Sequence, residues 1–551
     1  MEEEKEIKVY WCKTCNVPII RQEQQERVCP ECGGRIKYIY ADIRPVFSEE
    51  ARLLEILKDK HGEYIGRSVW ANHSNYIVDG EKLNLSVEEI KAADSEQARA
   101  QCLTDEDAMR FDSVIKEKYI DRFIFINKEH LDEIVGEAVD YIKEEAKSAT
   151  NMVVSFSGGK DSTAVSALVM QALGREDIRH IFADTTLELD NTYTYIEEYK
   201  RHYPLMPFNV GRNEEDFYKA ADEIGAPAVK CRWCCTMYKT GPVNRVFEEL
   251  FASKKVLTFY GVRKSESVSR SKYSRTEDRE DTLKIAGQRL ASPIFHWRDC
   301  EVWLYILAYN VPFNRSYRKG FTRVGCFNCP NTTARADFMA KLTMPEKSKK
   351  WRDFLLGFAQ KIGKPNFEEY VDGGFWKTRR GGNGMKTAAD VKIKQTNCTT
   401  EEYAKVYEIN KPIEDWFYDL FKPLGIVSKT LGRKLIGEVL VLDMQTKMPI
   451  ISIQPFKSDY EHSVKILILN VKNAYALERK IGYQIRKYNA CKRCLKCEAV
   501  CRSGAIAIKD GTYSIDDGKC SRCQMCVMNK YLVGGCLMTV FLKTREDYTH
   551  D

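Results

Sequence analysis

Residues 155–163, SFSGGKDST, constrain the fold of this chain more than any other stretch of its sequence. A short apolar run, residues 152–154, precedes them, and a helical pattern follows from about residue 161 to residue 173. A strand that passes through a glycine turn directly into a helix is the repeating unit of a parallel α/β sheet. We therefore predict a doubly wound parallel sheet of the α/β class. Its other strands are predicted at residues 178–183, 208–210 and 256–260.

The chemistry of residues 155–163 suits an anionic ligand. Ser157, Gly158 and Gly159 let the backbone turn tightly, so that successive N–H groups face the same way. The helix that follows contributes the positive end of its dipole, and Lys160 contributes a full charge. The G-x-x-x-x-G-K-[ST] spacing of a Walker A loop is absent. Because ligands of parallel sheets bind beyond the carboxyl ends of the strands, we predict that this loop binds nucleotide phosphates.

Cysteine is the informative part of the composition. The chain has 551 residues and 20 cysteines, sixteen of which lie in groups of the C-x-x-C type. The first residues are acidic and lack the apolar core of a secretory signal, so we expect a cytoplasmic protein. Paired cysteines in such a protein indicate metal sites rather than disulfides. No run is long and apolar enough for a membrane helix, and the length predicts about three to four domains.

The first forty residues carry two of these pairs. Cys12 and Cys15 form one C-x-x-C turn, and Cys29 and Cys32 form the other. Two such turns place four thiolates around one tetrahedral ion, which a segment this short needs in order to fold. We predict a zinc ribbon at residues 1–40, with a rubredoxin-like iron as the alternative.

Several motifs after the loop occur in the order typical of one family. The span from about residue 110 to residue 340 resembles the phosphoadenosine phosphosulfate (PAPS) reductase family of PP-loop, adenine nucleotide α-hydrolase-like proteins. The motifs are ADTTLE at 183–188, GVRKSESVSR at 261–270, PIFHWRDCEVW at 293–303, and Pro312, Asn314, Tyr317, Gly320, Gly325, Cys326 and Cys329. In the third of these motifs, Glu301 stands where the family usually has Asp.

This resemblance implies that the loop binds an adenine nucleotide. The implied catalytic residues are Lys160, Asp161, Arg263 and Lys239. The implied nucleotide-binding residues are Ser155, Ser157, Gly158, Gly159, Lys160, Asp161, Ser162, Asp184, Gly261, Arg263 and Arg270.

The resemblance also implies a metal centre within the same domain. The iron–sulfur members of the family, the adenosine phosphosulfate reductases, hold one 4Fe-4S cluster on a C-C…C-x-x-C set. Here that set is Cys234, Cys235, Cys326 and Cys329, and Cys231 is a substitute for one ligand. Zinc on the same four thiolates is the alternative, which spacing alone does not separate from a cluster.

The C-terminal cysteines reproduce the run of bacterial ferredoxins. In that pattern the fourth cysteine of each run serves the other cluster, which predicts two 4Fe-4S clusters. The sequence departs from this pattern in two ways. Arg502 and Leu537 stand where proline usually follows the fourth cysteine of a run, and Cys536 comes ten residues after Cys526. The predicted ligand sets are Cys491, Cys494, Cys497 and Cys536 for one cluster, and Cys520, Cys523, Cys526 and Cys501 for the other.

The remaining segments carry less information, although strands are predicted at residues 64–70 and 76–78. Residues 341–400 hold 13 Lys and Arg against 6 Asp and Glu, with a glycine-rich loop around Trp376. Such a segment is either a solvated basic face or a surface for a polyanion. The predicted domains are a zinc ribbon (1–40), a small α/β segment (41–110), a catalytic domain (111–340), the basic segment (341–400), a second small α/β domain (401–488) and a ferredoxin-like domain (489–551).

Three functions fit these observations. The first is reductive sulfur chemistry on an adenosine phosphosulfate, with electrons from a ferredoxin or a reductase. The family's C-terminal E-C-G-L-H motif is absent from this sequence, which counts against this function. The second is ATP cleavage with transfer of sulfur to a nucleic acid, since Lys160 and Asp161 are both retained and Asp161 or Asp184 can position Mg²⁺. A sulfur-donor protein would then be a partner. The third is electron transfer regulated by a nucleotide.

Overall fold

The computed structural model describes residues 7–252, 255–278, 287–456, 461–509 and 512–544. At its centre lies a six-stranded sheet, and five of its strands are parallel. The sixth, Thr276–Glu277, is an antiparallel edge strand that the sequence did not predict. The predicted α/β class is confirmed. In spatial order the strands are Phe208–Arg212, Arg179–Asp184, Met152–Phe156, Val256–Phe259, Gln288–Ala291 and Thr276–Glu277.

Helices cover both faces of this sheet. Val154 and Phe259 pack with the helices Lys128–Lys147, Lys160–Leu173 and Asp299–Ala308. Val153, Ile181 and Val256 point the other way and pack against Gly241–Phe251. Successive strand residues face opposite sides, so one run of apolar residues supplies two cores. The other helices of this region are Asp121–Ile126, Asp190–His202, Phe217–Ile224, Trp233–Cys235 and Ala334–Thr343.

A small antiparallel sheet precedes this domain, formed by Val17–Gln22, Ile7–Cys12 and Lys37–Tyr40. One buried asparagine joins it to the rest of the chain. The Asn127 side chain accepts the backbone N–H of Ile20 at 2.7 Å and donates to the carbonyl of Pro18 at 3.2 Å. The ribbon is therefore fixed on the domain through its second strand.

Residues 41–115 form a second antiparallel sheet with surrounding helices. The predicted strand at 64–70 is wrong over most of its length, since the strand begins only at Val69. Gly62 and Gly66 adopt positive φ, and Glu55 accepts the N–H groups of Tyr64 and Ile65, so this stretch is a turn. The strands are Arg44–Pro45, Val69–Asn72, Asn75–Val78 and Glu81–Asn84, and the helices are Ser48–Lys58, Val87–Ala92, Ser95–Ala100 and Asp105–Ile115.

The C-terminal third contains an antiparallel sheet and the cysteine-rich region. No helix among the described residues is long and apolar enough to cross a membrane. The sheet strands, in spatial order, are Gln395–Asn397, Ala404–Glu408, Ser463–Ile468, Pro449–Pro455, Val439–Leu442 and Ile426–Ser428. The helices are Pro345–Lys361, Phe367–Asp372, Trp416–Asp419, Ala474–Ala490, Lys496–Ala499 and Met538–Leu542, and a hairpin pairs Ile506–Lys509 with Thr512–Ile515.

In the basic loop around Trp376, the tryptophan and two of the cations are engaged within the protein, whereas Phe375 is 51% exposed. Trp376 is only 6% exposed. The buried guanidinium of Arg379 donates to the carbonyl groups of Ala226 at 3.0 Å and Gly381 at 2.6 Å. Lys377 pairs with Asp337. These charges are used inside the protein, because buried carbonyl groups and carboxylates need partners.

A buried ionic cluster joins the second sheet to the catalytic domain. Glu50 is fully buried and accepts two bonds of 2.6 Å from Arg44. It also accepts from Tyr76 at 2.8 Å and from Arg335 at 2.6 Å. Burial by itself raises the pKa of the Glu50 carboxyl, but the charges of Arg44 and Arg335 outweigh it and lower that pKa.

We predict that Glu50→Ala lowers the free energy of unfolding by about 3–5 kcal/mol, because two buried guanidinium groups lose their counterion. Urea unfolding followed by circular dichroism measures the change. The matched control is Glu63→Ala, which removes an exposed carboxylate 3.7 Å from Lys60 and is expected to cost less than about 1 kcal/mol. Equal unfolding midpoints for the two variants would contradict the prediction.

Candidate active site and metal centres

The loop at residues 155–163 connects the strand Met152–Phe156 to the helix Lys160–Leu173. Its shape is held by its own hydroxyl groups. The Ser162 hydroxyl accepts the N–H of Ser157 at 3.1 Å and donates to the carbonyl of Gly159 at 2.9 Å. Gly158 has a φ of +70°, which side chains with a β-carbon rarely adopt. The serines and glycines therefore set the turn that the sequence predicted.

A later segment of the chain holds the loop from outside. The Tyr317 hydroxyl accepts the backbone N–H of Lys160 at 3.0 Å. The Asn314 amide donates to the carbonyl of Gly158 at 3.3 Å and to the Thr192 hydroxyl at 3.1 Å. Both residues belong to the last motif of the resemblance, and their contacts give that motif a physical role.

Four buried charged groups meet at the start of the loop helix. The Lys160 ammonium, in a residue only 5% exposed, lies 2.9 Å from Asp161 and 3.0 Å from Asp299. The Arg263 guanidinium donates to Asp161 at 2.6 Å and to Asp299 at 2.7 Å. Two cations and two anions thus form a closed ring, which we call the charge quartet (Lys160, Asp161, Arg263 and Asp299).

The quartet fixes the charge state of its members. Burial by itself raises the pKa of the Asp161 carboxyl, but the charges of Lys160 and Arg263 outweigh burial and lower the pKa to about 2. Burial by itself lowers the pKa of Lys160, but Asp161 and Asp299 outweigh it and raise that pKa above its usual range. Lys160 and Asp161 are therefore both ionised at neutral pH, and each charge depends on its partners in the quartet.

Asp299 is the residue that sequence reasoning missed. It is the first residue of the helix Asp299–Ala308 and lies two residues before Glu301, which replaces the usual Asp of the third motif. Asp42, from the segment after the ribbon, accepts the N–H groups of Asp299 and Cys300, both at 2.9 Å. Glu301 turns away and contacts His130 at 2.7 Å. The sequence signal was a carboxylate at a helix N-terminus, next to the motif.

Gly261 explains the close packing at the quartet. A β-carbon at this position would lie 2.7 Å from the carbonyl carbon of Asp161 and 2.8 Å from the nitrogen of Ser162. Only glycine lets the segment that carries Arg263 lie against the first turn of the loop helix. The glycine of the G-x-R motif is therefore a spacing requirement.

Two other predicted nucleotide-binding residues have partners outside the quartet. Asp184 ends the strand beside the loop strand and accepts from the Thr186 N–H and the Tyr193 hydroxyl, both at 2.8 Å. Arg270 pairs with Glu266. Both Asp161 and Asp184 therefore have hydrogen-bond partners within the protein.

The four cysteines of the catalytic domain are brought to the same edge of the sheet as the loop. The thiols of Cys234 and Cys235 hydrogen-bond to each other, and the charges of Cys326 and Cys329 act on Cys234. The Cys326 sulfur lies 3.3 Å from the Thr185 hydroxyl, one residue past the end of the strand Arg179–Asp184. Cys231, the predicted substitute, is buried and faces the carbonyl of Arg379 at 3.6 Å.

The cysteine pair lies on an irregular helix. The turn Trp233–Cys235 continues through a π-helical segment, Thr236–Thr240, into Gly241–Phe251. Such π segments are rare and occur often at functional sites. Lys239 lies within this segment, and the negative charge of Cys326 raises its pKa. The helix therefore presents two thiols and one cation to the same space.

The N-terminal cysteines form the most compact cluster. Cys12 and Cys32 have their sulfur atoms 3.5 Å apart, and those of Cys15 and Cys29 lie 3.7 Å apart. Tetrahedral coordination with zinc–sulfur bonds of 2.3 Å places thiolates about 3.8 Å apart. Within the part of the chain that the structure describes, this is the one set of Cys, His or acidic groups whose ligand atoms lie within 4.8 Å of one another. The set can hold a single metal ion.

The C-terminal cysteines fall into two groups. Burial and the charges of Cys536, Cys497 and Cys491 raise the pKa of Cys494, so these four form the first group. Among them lies Lys487, only 1% exposed, whose ammonium donates to the carbonyl of Cys526. A buried ammonium needs negative charge nearby, which fits thiolates of a cluster. The second group lines one small cavity and comprises Cys501, Cys520, Cys523 and Cys526.

Comparison with known proteins gives several matches. Residues 151–332 match the model of the phosphoadenosine phosphosulfate reductase domain. An uncharacterized protein of Methanocaldococcus jannaschii is 34% identical over 262 residues, 47% of this chain and 53% of that protein. The adenosine 5′-phosphosulfate reductase of Oceanobacillus iheyensis is 28% identical over 184 residues, 33% of this chain and 71% of that enzyme. The chain thus spans about half the length of the methanogen relative.

One solved structure is also similar in part. The phosphoadenylyl-sulfate reductase of Candida auris, in a phosphate complex, matches 36% of this chain and 96% of its own, with 18% identity and a TM-score of 0.29.

We predict that Gly261→Ala lowers the affinity for adenine nucleotides at least tenfold and the free energy of unfolding by about 1–3 kcal/mol, because the added carbon displaces the loop helix. Calorimetric titration and urea unfolding measure the two effects. Gly136→Ala is the control, since Gly136 is an exposed residue of the helix Lys128–Lys147 with nothing within 4 Å of the added carbon. Unchanged binding in Gly261→Ala would show that the quartet tolerates displacement.

We predict that Cys29→Ser removes one metal ion from the purified chain and lowers its thermal midpoint, because three thiolates hold the ion less tightly. Elemental analysis for zinc and iron gives the count and the metal. Cys102→Ser, at a half-buried cysteine outside every group, should leave the metal content unchanged. Equal metal content in the two variants would contradict a ribbon site.

Proposed function

Because the chain belongs to the phosphoadenosine phosphosulfate reductase family through residues 151–332, we propose that it reductively cleaves an adenosine phosphosulfate. The sulfur–oxygen bond of the phosphosulfate breaks, and the bridging oxygen stays on the phosphate. Two electrons enter, and the sulfur leaves as sulfite. The products are sulfite and the desulfated nucleotide, which is adenosine 5′-phosphate or, from PAPS, adenosine 3′,5′-bisphosphate.

One observation carries this proposal. The strand Arg179–Asp184 lies directly beside the loop strand, and the residues after it reach the cysteine set. The Thr185 hydroxyl contacts the Cys326 sulfur at 3.3 Å, and Glu188 and Cys326 form a strand-like bridge. A nucleotide whose phosphates lie on the loop would therefore have its sulfate end next to four thiols.

The charge quartet suits such a ligand. Lys160 and Arg263 are the cations nearest the loop, and Asp161 and Asp299 hold both in place before a substrate arrives. Cations that are already fixed in a buried site lose little conformational entropy when they bind a phosphosulfate. They also offset the charge that develops on the phosphate when the sulfur–oxygen bond breaks.

The cysteine set fits an iron–sulfur cluster by its donor chemistry. Its four thiols are spaced more widely than those of the ribbon, and Lys239 and Arg232 supply positive charge beside them. A 4Fe-4S cluster bound there would supply reducing electrons close to the substrate. Lys239 then keeps positive charge between the thiolates and the sulfate end of the substrate.

ATP-dependent sulfur transfer is the competing function. The retained Lys160 and Asp161 favour it, since ATP-cleaving proteins of this type carry the intact pair. It would take its Mg²⁺ ligand from Asp161 or Asp184, which have hydrogen-bond partners within the protein. The contact between the Thr185 hydroxyl and the Cys326 sulfur, which brings thiols beside the loop, favours the reductase.

An anaerobic assay separates the two functions. The reconstituted chain is incubated with ATP, with PAPS and with its 3′-dephospho form, and sulfite and pyrophosphate are measured. We expect sulfite from a phosphosulfate and no pyrophosphate from ATP. Pyrophosphate without sulfite would overturn the proposal in favour of sulfur transfer.

We predict that Lys160→Gln lowers the affinity for the phosphosulfate by about tenfold or more, because a hydrogen bond from a charged donor contributes about 1.5–3 kcal/mol. Calorimetric titration under anaerobic conditions measures the binding, and sulfite release measures turnover. Lys147→Gln changes an exposed lysine at the end of a surface helix and should bind like the wild type. Wild-type affinity in Lys160→Gln would show that phosphates bind elsewhere.

A further inference from the structure

The first C-terminal cysteine group lies against the helix that carries Cys234 and Cys235. Gly241 follows the π-helical segment of that helix, and Leu495 lies between Cys494 and Cys497. A β-carbon on Gly241 would lie 2.7 Å from the β-carbon of Leu495. The two segments are thus as close as a glycine permits.

Leu495 is held firmly at this contact. The residue is only 2% exposed, and its φ is +62°. Gln524, at the matching position of the second group, has a φ of +60°, so this conformation belongs to the C-x-x-C turn. The cysteine turn itself therefore presents Leu495 to Gly241.

Ion pairs frame the contact on several sides. Arg245, one turn beyond Gly241, donates two bonds to Glu498 at 2.9 and 3.2 Å. Arg493 lies 3.1 Å from Glu215. Each pair joins the catalytic domain to the cysteine-rich region, so the two regions have one fixed arrangement.

A cavity provides a second measure of their proximity. Met237, two residues after Cys235, and Cys491 of the first group line the same cavity of about 230 Å³. Along the helix, the six residues from Cys235 to Gly241 span about 9 Å. The catalytic cysteines and the first group are therefore neighbours.

The second group lies further along the chain toward solvent. Cys523 is exposed, whereas Cys494, Cys497 and Cys536 are buried. Cys526 lies within electrostatic reach of Cys497, so the two groups adjoin each other. The order from solvent to the catalytic domain is second group, first group and then the contact between Leu495 and Gly241.

We propose that the contact between Gly241 and Leu495 is the electron-transfer junction of this chain. This inference rests on the proposed reductase function and names the region that would donate electrons to the catalytic cysteines, which is the first cysteine group of the same polypeptide. The two C-terminal cysteine groups would each hold an iron–sulfur cluster, and such clusters would supply the one-electron centres. Two one-electron transfers from a reduced carrier, entering beside the exposed Cys523, would balance the two electrons that each sulfite requires.

The test measures electron transfer without any nucleotide, so that its result is independent of the reductase assay. The reconstituted full chain is mixed rapidly with a reduced low-potential ferredoxin, frozen at intervals and studied by electron paramagnetic resonance. A signal that disappears in Cys235→Ser is assigned to the catalytic set. In the wild type, this signal should develop directly after those of the C-terminal groups.

Gly241→Val is the principal variant, because its added carbons must push Leu495 away. We expect the C-terminal signals to develop at the wild-type rate and the catalytic signal to develop at least tenfold more slowly. Gly136→Val, at an exposed position of the helix Lys128–Lys147, is the matched control. Iron and sulfide analysis must show equal cluster content in these chains.

Leu495→Ala covers the case in which Gly241→Val fails to fold. It removes the side chain at the junction without adding volume, and we expect it to slow the same step. Wild-type kinetics of the catalytic signal in every folded junction variant would overturn the proposal. A wild-type chain without a signal that depends on Cys235 would overturn it as well. Failure to release sulfite with intact electron transfer would instead count against the reductase function alone.

Discussion

The candidate active site depends on the pairing of two cations with two carboxylates at the start of the loop helix. Lys160 and Arg263 are buried, and neither could stay charged there without Asp161 and Asp299. Three distant segments supply these four groups, so forming the quartet requires the whole domain to close. Asp42 extends this dependence to the segment behind the ribbon, because it caps the helix that begins at Asp299.

The cysteine groups lie around this site. The catalytic cysteines lie beside the strand end next to the loop, and the C-terminal groups adjoin them through one helix. The ribbon is attached by the buried side chain of Asn127 and contacts the domain on its other side. In our proposal the C-terminal region therefore supplies electrons, and the ribbon has a structural role.

Sequence reasoning succeeded where a local pattern carries the information. Strand–loop–helix alternation gave the parallel sheet, because apolar periodicity reports which residues face a core. It failed at residues 64–70, where Gly62 and Gly66 make a turn out of an apolar stretch. It did not show that Arg379 and Lys377, in the loop around Trp376, have partners within the protein, because those partners are distant in sequence.

The sequence by itself determined the loop, the cysteine spacings and the α/β class, because each is encoded by residues close together in the chain. Only the tertiary structure decided that Asp299 completes the quartet, that Gly261 allows the close packing, and that Leu495 meets Gly241. These contacts join residues that are far apart in sequence, and no local periodicity reports which of those residues meet. The physical reason is that burial and charge pairing depend on the packing of the complete chain.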